Sequence, residues 1–152
     1  MNYYKVTEKY LYNYRSLKAN IENIKTQMSE LDYGSVKSAS LDYRGNGGYK
    51  KSAVESTVIN LDERRSELNE RKRKLRARIE RIDRAIEALN GTEKHIIENW
   101  YFKGKQWWQI AHEVKYSERH CRRLKTNAVN KISVGLFGLP AMGEVDEATS
   151  QC

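Results

Sequence analysis

At 152 residues, with 39% hydrophobic and 32% charged side chains, the chain has the length of one domain but little apolar material for a single compact core. Its net charge of +8 and pI near 9.4 point to a polyanionic partner, and no apolar run approaches the roughly 18 residues a membrane span needs, so nucleic acid stands ahead of a membrane. The opening MNYYKVTEKYLYNYR alternates aromatics with charges instead of offering the apolar core of a secretory signal, so a cytoplasmic location is expected.

From Tyr10 the apolar positions run Tyr10, Tyr14, Leu17, Ile21, Ile24, Met28 and Leu31, alternating steps of four and three. That spacing predicts a coiled-coil helix of about 25 residues. The tyrosines at its start, Tyr3, Tyr4, Tyr10, Tyr12 and Tyr14, suit aromatic packing at the open end of the coil better than a nucleophile or a base-stacking platform. Tyr33 to Lys51 loses the periodicity and gains Gly, Ser and Asn, as a loop does. Gly45, Gly47 and Gly48 lack the spacing and the flanking strand of a phosphate-binding loop.

A second seam follows: Val54, Val58, Leu61, Arg65, Leu68, Lys72, Leu75, Ile79, Ile82, Ile86 and Leu89. It predicts a helix of about 36 residues, roughly 54 Å long. Arg65 and Lys72 interrupt the apolar row and need the rim or a carboxylate, for which Glu22 and Glu30 are candidates. The first helix can fold back antiparallel on the second within one chain, or the two can pair between chains as a homodimer. The sequence leaves both open. Arg71 to Arg84 is the densest basic run, but Glu80 and Asp83 interrupt it in the manner of a solvated helix face.

Asn90 and Gly91 are expected to close the long helix with a left-handed cap, and Thr92 to begin the next. In Glu93 to Phe102, Ile96, Ile97 and Trp100 share a face and should build a core with Trp107, Ile110 and Val114. Trp108 is turned about 100° from Trp107 on the wheel and is expected to pack in the core or at its rim.

The stretch Gln106 to Ile132 carries the strongest pattern. Ile110, Val114, Tyr116, Cys121 and Leu124 have the burial spacing of a helix, a tight turn and a second helix across it. Ala111 offers the small side chain that the crossing needs, Lys115 and Tyr116 form the turn, and Ser117 can cap the second helix. Cys121, Leu124 and Ala128 lie on one face of that helix; Arg119, Arg122, Arg123 and Thr126 lie opposite. A basic face on an ordinary helix is commonly just solvated, but here it coincides with the helix that a helix-turn-helix lays in a major groove. From Gly91 to Ile132 nine basic residues stand against four acidic, a net of +5. The base-reading candidates are Arg119, Arg122 and Arg123, with Glu118 as an acceptor for a cytosine amino group; Ser117 and Thr126 flank them. Lys103, Lys105, Lys115 and Lys125 are candidates for phosphate contacts.

Gly91 to Ile132 resembles region 4 of sigma-70-type factors and, within that group, the phage regulators of the ArpU and RinA type. The resemblance rests on Glu93, Ile96, Ile97, Tyr101, Phe102, Gly104, Trp108, Ile110, Ala111, Tyr116, Ser117, Arg119, Arg122 and Ala128. It implies a phage or prophage activator of late genes that binds double-stranded DNA in the bacterial host cytoplasm and contacts RNA polymerase. Lys115 departs from the pattern, because many such turns carry glycine where positive φ is required.

Beyond Ile132, Gly135, Gly138 and Pro140 should break the helix, leaving a flexible tail made acidic by Glu144, Asp146 and Glu147. Leu136, Phe137 and Leu139 offer a small apolar group that can dock on the head or a partner. Cys121 and Cys152 read as free thiols. His95, His112 and His120 have no HExxH or CxxC companions, and the carboxylates are spread over helix surfaces, so neither an enzyme, a metal nor a cofactor is expected.

The expected fold is therefore all-α: a long antiparallel helical hairpin at 1–90 with a loop at 33–51, a three-helix helix-turn-helix head at 91–134, and a flexible tail at 135–152. The expected function is sequence-specific DNA binding in transcription regulation. A terminase small subunit, which also joins a helix-turn-helix to oligomerising helices, is the alternative; a ring of eight or more chains would mark it.

Overall fold

The structure, a computed structural model, describes residues 1–42 and 51–143, and the side chains of 1–34 and 59–143. The described residues are all-helical: α1 (Tyr3–Asp42), α2 (Lys51–Glu87), α3 (Gly91–Ile97), α4 (Trp107–Val114) and α5 (Glu118–Phe137), with a π-helical turn at Glu98–Phe102 and a 3-10 turn at Leu139–Met142. No strand occurs among them. The long α1–α2 pair is the expected hairpin, but α1 runs 40 residues, past Tyr33 to Asp42, where a loop was expected. Gly34 is the only breaker on that path and has open space around it, so the helix passes through at the cost of glycine's weak propensity alone. The glycine run at 45–48, Lys50 and the acidic residues 144–147 lie outside the described residues, as does Cys152.

The chain divides into two compact units, Ser16–Ala77 and Met1–Arg15 with Arg78–Cys152. In the first, Ile21 and Ile24 of α1 and Leu68 of α2 are buried, at positions that the two seams assign to the interior. Arg65 does not meet Glu22 or Glu30: it reaches Asp32 at 2.6 Å on the exposed rim, and Glu22 pairs along its own helix with Lys25. A charge in the seam is tolerated because it never leaves water.

The second unit is the head together with the start of α1 and the end of α2. Leu11 and Tyr14 of α1, Ile79, Ile82, Ala85 and Ile86 of α2, and Leu89 just beyond it are buried alongside Ile96, Ile97, Val129 and Ile132. α3 does not begin at Thr92. Asn90, expected to close α2, instead opens α3: its side chain accepts from Glu93 N at 2.8 Å, and the Glu93 carboxylate accepts from Asn90 N at 3.4 Å. This capping box satisfies two of the helix's unpaired N–H groups. Buried Glu93 is also paired with Lys131 of α5 at 2.7 Å.

Two further expectations are corrected here. α5 does not stop at Gly135; it continues to Phe137 because a glycine there lets it approach α2, where a Cβ on Gly135 would stand 3.0 Å from that of Ala85. The chain thus stays helical to Phe137 and, after Gly138, makes the 3-10 turn Leu139–Met142, and Phe137 packs on Tyr3 and Tyr10 with ring centroids 5.2 and 6.4 Å away. The N-terminal tyrosines pack against the head in the same way. Tyr12 meets Tyr101 edge-on at 4.7 Å and Tyr14 stacks on Phe102 at 4.3 Å.

Candidate nucleic-acid interface

α4, the turn and α5 form the helix-turn-helix, and α5 packs on both α3 and α4. Its core is Ile96, Ile110, Ala111 and Cys121, surrounded by Trp100, Trp107, Val114 and Leu124. Trp100 and Trp107 stack with centroids 4.2 Å apart, and the π-helical turn is what carries Trp100 there while Tyr101 and Phe102 meet α1. Such a turn spends an extra residue per turn, so it re-aims the side chains that follow. Gly104, at φ 63°, reverses the chain after it. Burial pushes the Cys121 thiol up, so this sulfur is core material and not a reactive thiolate.

Lys115 ends α4 at φ 60° and ψ 38°, in the left-handed region; it is the only residue other than glycine with positive φ among those described. Its N–H and that of Tyr116 both turn back to Ala111 O, the latter at 3.2 Å. The turn is therefore the glycine type with lysine in the glycine's place, and the strain is accepted. Ser117 then opens α5, its hydroxyl accepting from His120 N at 3.1 Å. Tyr116, expected inside, is 48% exposed, and Trp108, expected at the core or rim, is 63% exposed.

On α5, Cys121, Ala128, Val129 and Ile132 are buried, and Arg119, Arg122, Arg123 and Thr126 are exposed on the other side, together with Glu118 and Lys115. Arg119 has no hydrogen bond or ion pair to another described side chain. Arg122 stands over the Trp107 ring at 5.8 Å and lies 3.7 Å from Glu118. Arg123 donates to His120 Nδ1 at 3.0 Å. Thr126 donates its hydroxyl to Arg122 O at 3.1 Å, which leaves its lone pairs and methyl group to face outward.

The lysines separate into two groups. Lys103 and Lys115 are exposed without an ion pair among the described residues. Lys105 binds Glu113 at 2.5 Å, and Glu113 also meets His95 at 2.7 Å; the hydrogen bonds from Lys105 and His95 hold that carboxyl below its usual range. Lys125 leaves the basic face altogether. It bonds Glu8 of α1 at 3.0 Å, between the rings of Tyr4 and Tyr101, with 17% of its side chain exposed. Lys94 and Lys131 are likewise paired, with Glu87 and Glu93. Internal pairing thus quiets Lys94, Lys105, Lys125 and Lys131 and leaves Lys103, Lys115, Arg119 and Arg123 as outward charge, with Arg122 exposed beside Glu118.

Two neighbours of this face escaped sequence reasoning. Trp107 was legible only as core and His120 only as an isolated histidine. The three-residue spacing of His120 and Arg123 was the one available signal. Among the described residues no cluster of three or more His, Cys, Asp or Glu is placed to hold a metal ion, and no helix is long and apolar enough to cross a membrane.

Compared with known proteins, residues 3–134 match one family model, described as a protein of unknown function (DUF722). No curated protein and no solved structure matches the chain.

Proposed function

The chain belongs to the DUF722 family, a premise that leaves the activity to be argued from geometry, and we propose that it is a sequence-specific DNA-binding transcription regulator. One observation carries this reading: Arg119, Arg122 and Arg123 project from the outer face of α5, whose inner face is anchored by Cys121, Ala128 and Val129. In a helix-turn-helix the first turns of the second helix reach base edges, and guanidinium groups pair with guanine O6 and N7. Lys103 and Lys115 supply phosphate contacts beside them, while Lys105 and Lys125 are engaged within the head. The resemblance to ArpU- and RinA-type regulators supports extending the proposal to a phage or prophage activator of late genes, and the likeness to sigma region 4 supports RNA polymerase as a proposed second partner.

The test is a mobility-shift titration on cognate and random duplexes at two salt concentrations. Wild-type binding should weaken steeply with salt, as phosphate contacts require. Arg122→Ala and Arg123→Ala should each cost about 1–3 kcal/mol on the cognate duplex and much less on random DNA. Equal losses on both would reduce these arginines to backbone contacts, and salt-insensitive or absent binding would end the proposal.

A further inference from the structure

An exposed arginine samples many rotamers, and a base contact has to freeze one of them. Arg123 is already held: its guanidinium donates to His120 Nδ1 at 3.0 Å, one turn back along α5. His120 is held in turn. The Ser117 cap takes its backbone N–H, and its ring packs edge-on against Tyr116, centroids 4.7 Å apart at an interplanar angle of 76°. Nδ1 can accept only when the ring proton is on Nε2, so the imidazole presents a fixed lone pair to the guanidinium. A guanidinium has five N–H groups, so one bond to His120 still leaves enough for a two-pronged contact with a guanine edge.

We propose that His120 is a positioning residue for base reading, which presets the Arg123 guanidinium through Nδ1 and so sharpens the choice of one base. This rests on the DNA-reading proposal above. It adds a residue that touches no base and yet sets specificity.

The experiment selects sites from a randomised duplex pool with the full chain, as wild type, Arg123→Ala, His120→Phe, His120→Asn and His120→Gln. Phe keeps a ring against Tyr116 and removes the acceptor; Asn returns an oxygen near the Nδ1 position, and Gln places it too far out. Arg123→Ala should erase the preference at one base position. His120→Phe and His120→Gln should weaken that same preference roughly 2- to 10-fold, the ordering cost of one long side chain, and His120→Asn should keep it. Affinity for random duplex and its salt dependence should be unchanged across the His120 variants.

Unchanged selection by His120→Phe overturns the proposal, as does equal loss on selected and random duplexes, which marks a packing defect. Should Phe unfold the head, the Asn and Gln variants make the same comparison, and equal behaviour of those two overturns it as well. If the wild-type chain binds no duplex in a salt-dependent way, the DNA reading itself falls and takes this inference with it. That outcome is distinct, because it is seen before any variant is compared.

Discussion

Lys115 and Gly104 share a positive φ, at 60° and 63°, yet only one is glycine. A side chain in the left-handed region costs roughly 1–2 kcal/mol, and glycine's greater freedom in the unfolded chain offsets about half of that. Lys115→Gly should therefore stabilise the protein by about 0.5–1 kcal/mol in urea unfolding, and Lys115→Asn, which tolerates this conformation, should stabilise it by less. A destabilised glycine variant would mean that the lysine side chain contributes more than its backbone loses. The place of the turn was legible from Ala111, Ser117 and the spacing around them, but positive φ at Lys115 was only what the resemblance to glycine-bearing turns implied, with a different turn type as the other outcome. That a lysine would adopt it was not legible, since no local rule favours it. The same contrast runs along α5. Burial of Cys121 and Ala128 follows from helical period alone, whereas Lys125 sits on the same helix and is claimed by Glu8, a partner 117 residues away.

Among the elements, α1 and α5 both run further than their sequences suggest, and in α5 the reason is a tertiary contact. Gly135 looks like a helix breaker in sequence, but its role is to be small where α5 crosses α2 beside Ala85. Propensity disfavours glycine in a helix by about 1 kcal/mol, and tertiary contact overrides it. Gly135→Leu forces a branched side chain into that approach and should cost about 1–3 kcal/mol, as overpacking does. Ala85→Gly in the same chain should recover part of the loss, which a double-mutant cycle by urea denaturation would detect as non-additivity. Strict additivity would show that the two residues do not meet. The π-helical turn was equally hidden, because Ile96, Ile97 and Trp100 fit an ordinary helix as well. What demands the wider turn is the simultaneous pairing of Trp100 with Trp107 and of Tyr101 and Phe102 with the tyrosines of α1. The two seams, by contrast, were read from the spacing of their apolar residues, because a heptad repeat states its own geometry.

At the scale of the molecule, the compact unit that holds the basic face of α5 is built from sequence-distant pieces, the first 15 residues and those from Arg78 onward. Spacing rules say that the early tyrosines pack, and not that their partners are Tyr101, Phe102 and Phe137, far along the chain. Glu8 is where the pieces join: its carboxylate accepts from Tyr101 at 2.6 Å and from Lys125 at 3.0 Å. Partial burial by itself raises Glu8, but the bonds from Tyr101 and Lys125 outweigh it and hold the carboxyl below its ordinary range. Burial pushes the Tyr101 hydroxyl up, and the Glu8 carboxylate pushes it further, so it stays a neutral donor. A carboxyl lowered by folding stabilises the protein fully above its unfolded value and loses that contribution as pH falls through the folded one. Glu8→Gln should therefore cost about 1 kcal/mol at neutral pH, a charged hydrogen bond discounted for partial exposure. The deficit should shrink once pH drops below the ordinary carboxyl value of 4.5 and vanish in stronger acid. Thermal or urea unfolding of both proteins from neutral to acid pH measures it. A deficit that stays constant across that range would place the loss in packing and not in the charge. One that does close with acid ties the stability of the helix-turn-helix head to a residue near the start of the chain, so acid should loosen the hold of Glu8 on Lys125 before it disturbs the Trp100–Trp107 core.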